Sequence, residues 1–253
     1  MVMVIFFIAL WYSSLFCQTF FQHRYAAHGA FKMSNGMERV FFILSYITQG
    51  SSYMSPRAYA IMHHAYTDTA QDPHSPSFSK NIFTMMLRTR NFYTSIFKGT
   101  MEIEPRFLKN VPEWPAFDRW ANSTVSRLLW AIAYLGFFMM FATSPWVYLL
   151  LPIVLAMGAF HGAVINWFAH KYGYKNFRLR NTSENLLPVD ILMLGESYHN
   201  NHHKYPSSIN FGVRKHELDP IYPVIRFFAW LHIISIPVLS PVQGHGVPEI
   251  LKK

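Results

Sequence analysis

Two long stretches of this 253-residue chain contain no Lys, Arg, Asp or Glu: Met1–Gln22 and Leu128–Ala169. Charges are costly at the centre of a bilayer, and about 20 apolar residues cross its hydrocarbon core. The first stretch is therefore long enough for one span. A signal peptide would need a basic region ahead of the apolar run and a cleavage site behind it. The chain instead opens directly on the apolar run and follows it with HRYAAH, His23–His28. The second stretch is about twice the length of one span, and ATSPW, Ala142–Trp146, interrupts it. Pro145 cannot continue a helix without loss. The pattern predicts a helical hairpin, 126–143 and 145–168.

Composition agrees with a membrane chain. Charged residues make up 14% of the sequence, hydrophobic residues 51% and aromatics 17%, against about a quarter charged in soluble proteins. The net charge of +9 would suit nucleic acid in a soluble chain. In this one it reads as the positive excess of cytoplasmic segments, and no nucleic-acid partner is expected. Apart from Arg127, at the edge of the second span, the lysines and arginines fall in 23–125 and 170–253, with none in the hairpin turn. Those segments then share one face, the cytoplasmic one, which three spans (1–22, 126–143, 145–168) with an outside N-terminus allow. The expectation is an all-α integral membrane protein, one domain over 1–253. Val40–Ser55 and Tyr222–Leu239 read as buried or interfacial helices, and 75–125 as loop with short helices. The single cysteine, Cys17, excludes an intramolecular disulfide and cysteine-rich zinc modules.

Histidines cluster at four places: His23 and His28; His63 and His64; His170, four residues after Asn166; and HNNHH, with His199, His202 and His203. In the expected topology all four lie near one membrane surface. Positions i, i+3 and i+4 share a helix face, so the last three can converge. His23 and His28 stand about 140° apart on an α-helix. They either serve two ions or belong to a helix end that unwinds. Neutral imidazole suits zinc, copper, iron and nickel. Eight histidines exceed the needs of one tetrahedral ion, which favours two metals. Asp68, Asp72, Asp190 and Glu196 lie close enough in sequence to accept the second ring N–H of such ligands. His161, within an expected span, reads as a hydrogen-bonded interior residue. His74 reads as structural or substrate-side, and His216, His232 and His245 as surface residues.

HRYAAH, the HHAYTDTAQDPH segment, NWFAHKYGY and HNNHHKYP together resemble the membrane-bound fatty acid desaturases, in particular the acyl-CoA desaturase group. The resemblance runs from about His23 to Ser208. It implies a transmembrane helical stalk and a cytoplasmic cap holding two irons, with O2 as co-substrate and a cis double bond as product. It also implies His23, His28, His63, His64, His170, His199, His202 and His203 as iron ligands, and Asn166 as the holder of an iron-bound water. The implied substrate is an acyl-CoA or a lipid-linked acyl chain. No haem or iron–sulfur motif is visible, so electrons would come from a separate ferredoxin or cytochrome b5 type of protein. The expected location is a bacterial inner membrane.

Two departures stand out. Relatives usually carry another span before the one at Met1, which makes this chain a short or truncated form. The family's first HxxHH box reads AIMHH here, with Ala60 in place of a histidine. Alternatives are a di-iron lipid hydroxylase and an impaired homologue lacking one ligand.

Overall fold

The computed structural model describes residues 1–51, 62–108 and 112–237. Ala60 lies outside the described residues, as does His245. The regular secondary structure of the described residues is helical apart from one two-stranded antiparallel pair and two isolated bridges, Tyr174–Asn185 and Asn185–Tyr198, and turns and loops make up most of 169–198 and 205–220. Helix α1 (Val2–Phe16) runs on without a break into a π-helical segment, Cys17–Ala27. Together they form a 26-residue helix whose most apolar 18-residue window has a mean hydropathy of 1.8. Its outward side chains, among them Val2, Val4, Ile5 and Ile8, are exposed and apolar.

The chain returns through β1 (Lys32–Met33) into α2 (Asn35–Gln49). Ser34 starts α2 by accepting the Met37 N–H at 3.3 Å, and Gly50 ends it at φ +67°. That glycine is required twice over: the left-handed backbone disfavours side chains, and a Cβ would lie 2.7 Å from the Trp130 ring. One face of α2 is buried through Phe41, Phe42, Ser45 and Thr48, while Val40, Ile43, Leu44 and Ile47 are exposed. Amphipathic burial of this kind is how a helix too short to span docks on a bundle.

Region 75–125 holds more helix than its sequence suggests. Helix α3 (Ile82–Phe97) is 16 residues long and opens on a reciprocal Asn81–Thr84 capping box. Short α4 (Pro105–Leu108) and α5 (Pro115–Ala121) follow. Helix α6 (Thr124–Phe141), capped by Ser123, is the second helix of spanning length and composition. Arg127 sits in its first turn and donates to Asn122 Oδ1 at 2.7 Å.

The segment 145–168 is not one straight helix. A 3₁₀ turn (Pro145–Leu150) and α7 (Leu151–Leu155) meet α8 (Met157–Ala163) and a π turn (Val164–Phe168) at a 70° bend. Ala156 at the break has φ −111° and ψ 16°. Polar side chains press on the backbone just beyond it: Gln18 Nε2 donates to Gly158 O at 2.8 Å, and Gln49 Oε1 lies 2.9 Å from where a Gly158 Cβ would be. Side-chain insertion beside the backbone ladder is a recognised cause of kinks. Among the described residues, two helices are long and apolar enough to cross a membrane, or three if the bent pair counts as one.

Two apolar clusters hold these parts together. Met3, Leu10, Phe138, Val154 and Met157 join α1, α6, α7 and α8. Phe20, Phe21, Phe31, Phe41 and Phe42 pack with Ile221, Ile225 and Ile234. This second cluster ties the π segment and α2 to α10 (Ile221–Trp230) and β2 (Ile234–Ser235), which pairs with β1. Between them lies α9 (His199–Lys204).

Candidate metal centre

The π segment settles the placement of His23 and His28. Its hydrogen bonds close five residues along, as in His28 N–H to His23 O at 3.1 Å, so residues i and i+5 are brought to one side. The two rings stand 4.9 Å apart between centroids. They serve one point, not two.

Eight histidines form two groups of four, each with its donor atoms within 4.8 Å of one another: His23, His28, His64 and His202; and His63, His170, His199 and His203. Adjacent His63 and His64 part into different groups, as neighbours about 100° apart on a helix should. On α9, His199 and His203 (i, i+4) join one group, while His202 joins the other. The two asparagines between them anchor the helix. Asn200 Oδ1 accepts the Asn176 and Phe177 N–H groups (2.9 and 2.8 Å), and its amide donates to Phe177 O and Ser183 O (both 3.1 Å). Asn201 donates to Phe211 O and Glu217 Oε2 (both 2.9 Å) and accepts from Asn176 and Asn185. Their role has no signal in the sequence beyond their place in the box.

The rings fit cations. His64 and His202 face each other Nε2 to Nε2 at 2.7 Å, and His199 Nε2 lies 3.0 Å from both His170 Nε2 and His203 Nε2. Ligands at right angles around an ion with bonds of about 2.1 Å lie about 3 Å apart. Neutral rings alone satisfy this arrangement poorly, since His199 Nε2 can share at most one proton with its two neighbours. Among the described residues, the buried His63 Nε2, His199 Nδ1 and His202 Nδ1 have no hydrogen-bond partner. Burial, followed by neighbouring imidazoles, pushes the pKa of His63, His64, His199, His202 and His203 well below the ordinary histidine value. The rings are therefore held neutral, the form that ligates metal.

Carboxylates orient several rings from behind. Glu196 Oε2 lies 2.6 Å from His23 Nδ1 and Asp72 Oδ1 lies 2.9 Å from His63 Nδ1. Thr19 Oγ1 donates to Glu196 Oε1 at 2.5 Å, and Arg24 stands 3.9 Å away. Burial raises the Glu196 carboxyl, but His23 and Arg24 outweigh it and hold it below its usual value. Asp68 acts through an intermediary: its Oδ2 accepts the Thr182 N–H (2.6 Å) and hydroxyl (2.8 Å), and that hydroxyl lies 3.1 Å from His170 Nδ1. Thr182 and Asn181, whose amide lies 3.4 Å from His203 Nδ1, escaped the sequence reading because nothing local marks them.

Four expectations need correcting or refining. Asp190 meets no histidine ring among the described residues. Its carboxylate accepts the Met193, Gly195 and Ser197 N–H groups at 2.8–2.9 Å and so shapes the turn ahead of α9. Asn166 lines a cavity of about 130 Å³ that reaches histidines of both groups, with Leu15, Ile165 and Met193. His161 lines the same cavity, and neither of its nitrogens has the hydrogen bond expected of it. His74 packs on His63 at 3.9 Å between ring centroids, and His63, Asp72 and His74 make a third, smaller group with metal-ligand spacing. His216 and His232 are exposed. Both groups of four assemble from described residues.

A membrane-type helical chain that gathers eight imidazoles into two adjacent tetrads has the donor set of a histidine-ligated membrane metalloprotein. The chain belongs to the fatty acid desaturase family, whose model, described as fatty acid desaturase, matches residues 1–232. Desaturases of this family are iron enzymes. Delta-9 acyl-lipid desaturase 2 of Arabidopsis thaliana is 29% identical over 233 residues, which cover 87% of this chain and 71% of that protein. The sn-1 stearoyl-lipid 9-desaturase of Synechocystis sp. is 26% identical over 231 residues, 87% of this chain and 66% of that protein. Delta-9 acyl-lipid desaturase 1 of Arabidopsis thaliana is 28% identical over 217 residues, 85% of this chain and 67% of its own length.

Proposed function

We propose that this chain is an O2-dependent desaturase that introduces a cis double bond at position 9 of a lipid-linked acyl chain. The observation carrying the proposal is the pair of adjacent histidine tetrads in a chain of this family. The names of its relatives favour a lipid-linked substrate over acyl-CoA and support the position. The metal ligands of this reading are His23, His28, His64 and His202 for one iron, and His63, His170, His199 and His203 for the other. Asn166, on the cavity wall, holds a water beside them. An unactivated methylene C–H lies beyond the reach of any protein acid or base, so bound iron supplies the oxidising power, drawn from O2. The chain's own residues do the rest. Asp72, Glu196 and the Asp68–Thr182 pair fix ring orientation. Leu15, Ile165 and Met193 give the cavity an apolar wall for methylenes, each worth roughly 0.8 kcal/mol on burial. The lysines and arginines outside the spans support a cytoplasmic face for the tetrads and favour an acidic external electron donor.

The test is expression in a host that lacks 9-desaturation, followed by purification in detergent. Close to one iron per tetrad and new 9-double bonds in lipid-linked chains are the expected results. Hydroxy acids in place of double bonds, or an unchanged lipid profile from iron-loaded protein, would overturn the proposal.

A further inference from the structure

His161 sits in α8, inside the bent third span, and is 1% exposed. Its ring meets Trp11 edge-on at 4.4 Å, while the Trp11 N–H is committed to Leu192 O at 3.2 Å. Among the described residues, neither His161 nitrogen has a hydrogen-bond partner. An ionisable side chain at membrane depth is costly and marks function by default. An unpaired buried group points to bound water, an ion or a catalytic task. The cavity that His161 lines is the one reached by His23, His63, His64 and His199.

A second group in the cavity wall has the same need. Gln49 Nε2 donates to Ser14 O at 3.1 Å, so its Oε1 must accept, and Gln22 Nε2 donates to it at 3.2 Å. That relay fixes the Gln22 amide and leaves its Oε1 over, buried and without a partner among the described residues. The walls thus offer an acceptor at Gln22 and both a donor and an acceptor at His161. The cavity of about 130 Å³ has room for several waters, each needing about 10–15 Å³.

We propose that His161 and Gln22 anchor water in this chamber, and that His161 is the positioning residue that presents it to the oxygen-reducing centre. The inference rests on the desaturase reading. Desaturation breaks two C–H bonds and forms one C=C bond. O2 takes two electrons from the substrate and two from the external donor, and with two added protons and the two substrate hydrogens it leaves as two waters. Those added protons must be delivered to buried rings. A neutral imidazole accepts a proton at one nitrogen and releases one from the other, and the anchored water completes the path.

The experiment uses the full chain with three variants. His161→Phe keeps a ring and removes both nitrogens, His161→Gln keeps hydrogen bonding, and Gln22→Leu probes the opposite wall. Iron content should not change in any of them. With iron loaded and a reduced ferredoxin as electron source, His161→Phe should release several-fold more hydrogen peroxide per double bond formed, and His161→Gln should recover most of the coupling. A second measurement does not need turnover. In the iron-free protein, His161→Phe and Gln22→Leu should lower the thermal midpoint if water satisfies these groups, and raise it if the cavity is dry. Unchanged coupling in His161→Phe, or a raised midpoint in both variants, refutes the proposal. A wild-type chain that makes no double bond defeats the desaturase reading instead, and the thermal measurement then judges the water site alone.

Discussion

His23 and Glu196 meet at 2.6 Å across 173 residues of sequence, Nδ1 against Oε2. The contact locks the end of the first membrane helix to the loop that leads into α9. A carboxylate behind a ligating histidine fixes its tautomer and strengthens it as a donor, and losing such a partner costs about 10–100-fold in metal affinity. Glu196→Gln keeps the shape and removes the charge. It should weaken iron at the His23 tetrad by that factor and leave the His63 tetrad loaded, as read by iron retention against a graded chelator. Equal loss from both sites would contradict the assignment.

Thr182→Val tests the other tetrad. It deletes the hydroxyl that lies 3.1 Å from His170 Nδ1 and 2.8 Å from Asp68 Oδ2, while the backbone N–H to Asp68 at 2.6 Å survives. Titration of metal into the iron-free protein should show one site weakened by about tenfold and the other unmoved. Two unaltered sites would remove Thr182 from the account.

Gly195→Ala strikes the buried ion pair. Gly195 has φ +91°, and a Cβ would lie 2.5 Å from Asp219 Oδ1. Asp219 Oδ2 pairs at 2.6 Å with Arg24, which is fully buried and stacks 3.8 Å above the Phe211 ring. Breaking a buried pair costs about 3–5 kcal/mol, which corresponds to a fall of roughly 6–20 °C in thermal midpoint for a chain of this size. Tryptophan-monitored melting in detergent measures it. A midpoint near that of the wild type would show that the loop moves aside.

Acid should destabilise the iron-free protein. The folded-state pKa values of His63, His64, His199, His202 and His203 are depressed by burial. Below the unfolded value of about 6.5, the unfolded chain therefore binds protons that the folded chain refuses. Stability is full above that pH and is lost as pH falls from there toward the folded values. Asp72, Asp190 and Asp219, raised by burial, act in the opposite direction at lower pH. Midpoints recorded from about pH 7.5 down to about pH 6 should fall. A flat profile would mean that the rings are not held neutral.

The sequence made some of this legible and hid the rest for physical reasons. Absence of charge marks the apolar helices because desolvating an ion is costly everywhere in a bilayer. The histidine clusters are visible because imidazoles at such spacing have little other use. The sorting of His63 and His64 into different tetrads depends on where a helix is aimed, which local spacing does not specify. Thr182 and Asn181 become relevant only when residues 171–198 fold back over the rings. Asp190 lies eight and nine residues from Tyr198 and His199, yet backbone N–H groups nearer to it claim its carboxylate first. The bend at Ala156 follows from Gln18 and Gln49 reaching a neighbouring helix, a tertiary event.

The π segment between Cys17 and Ala27 bears on how such centres are copied. A designer who transplants HRYAAH onto an ordinary α-helical scaffold would splay its two imidazoles by about 140° and assemble half a cage. The portable unit is the motif together with its widened coil, and a scaffold unable to absorb that looser winding will fail whatever side chains it bears.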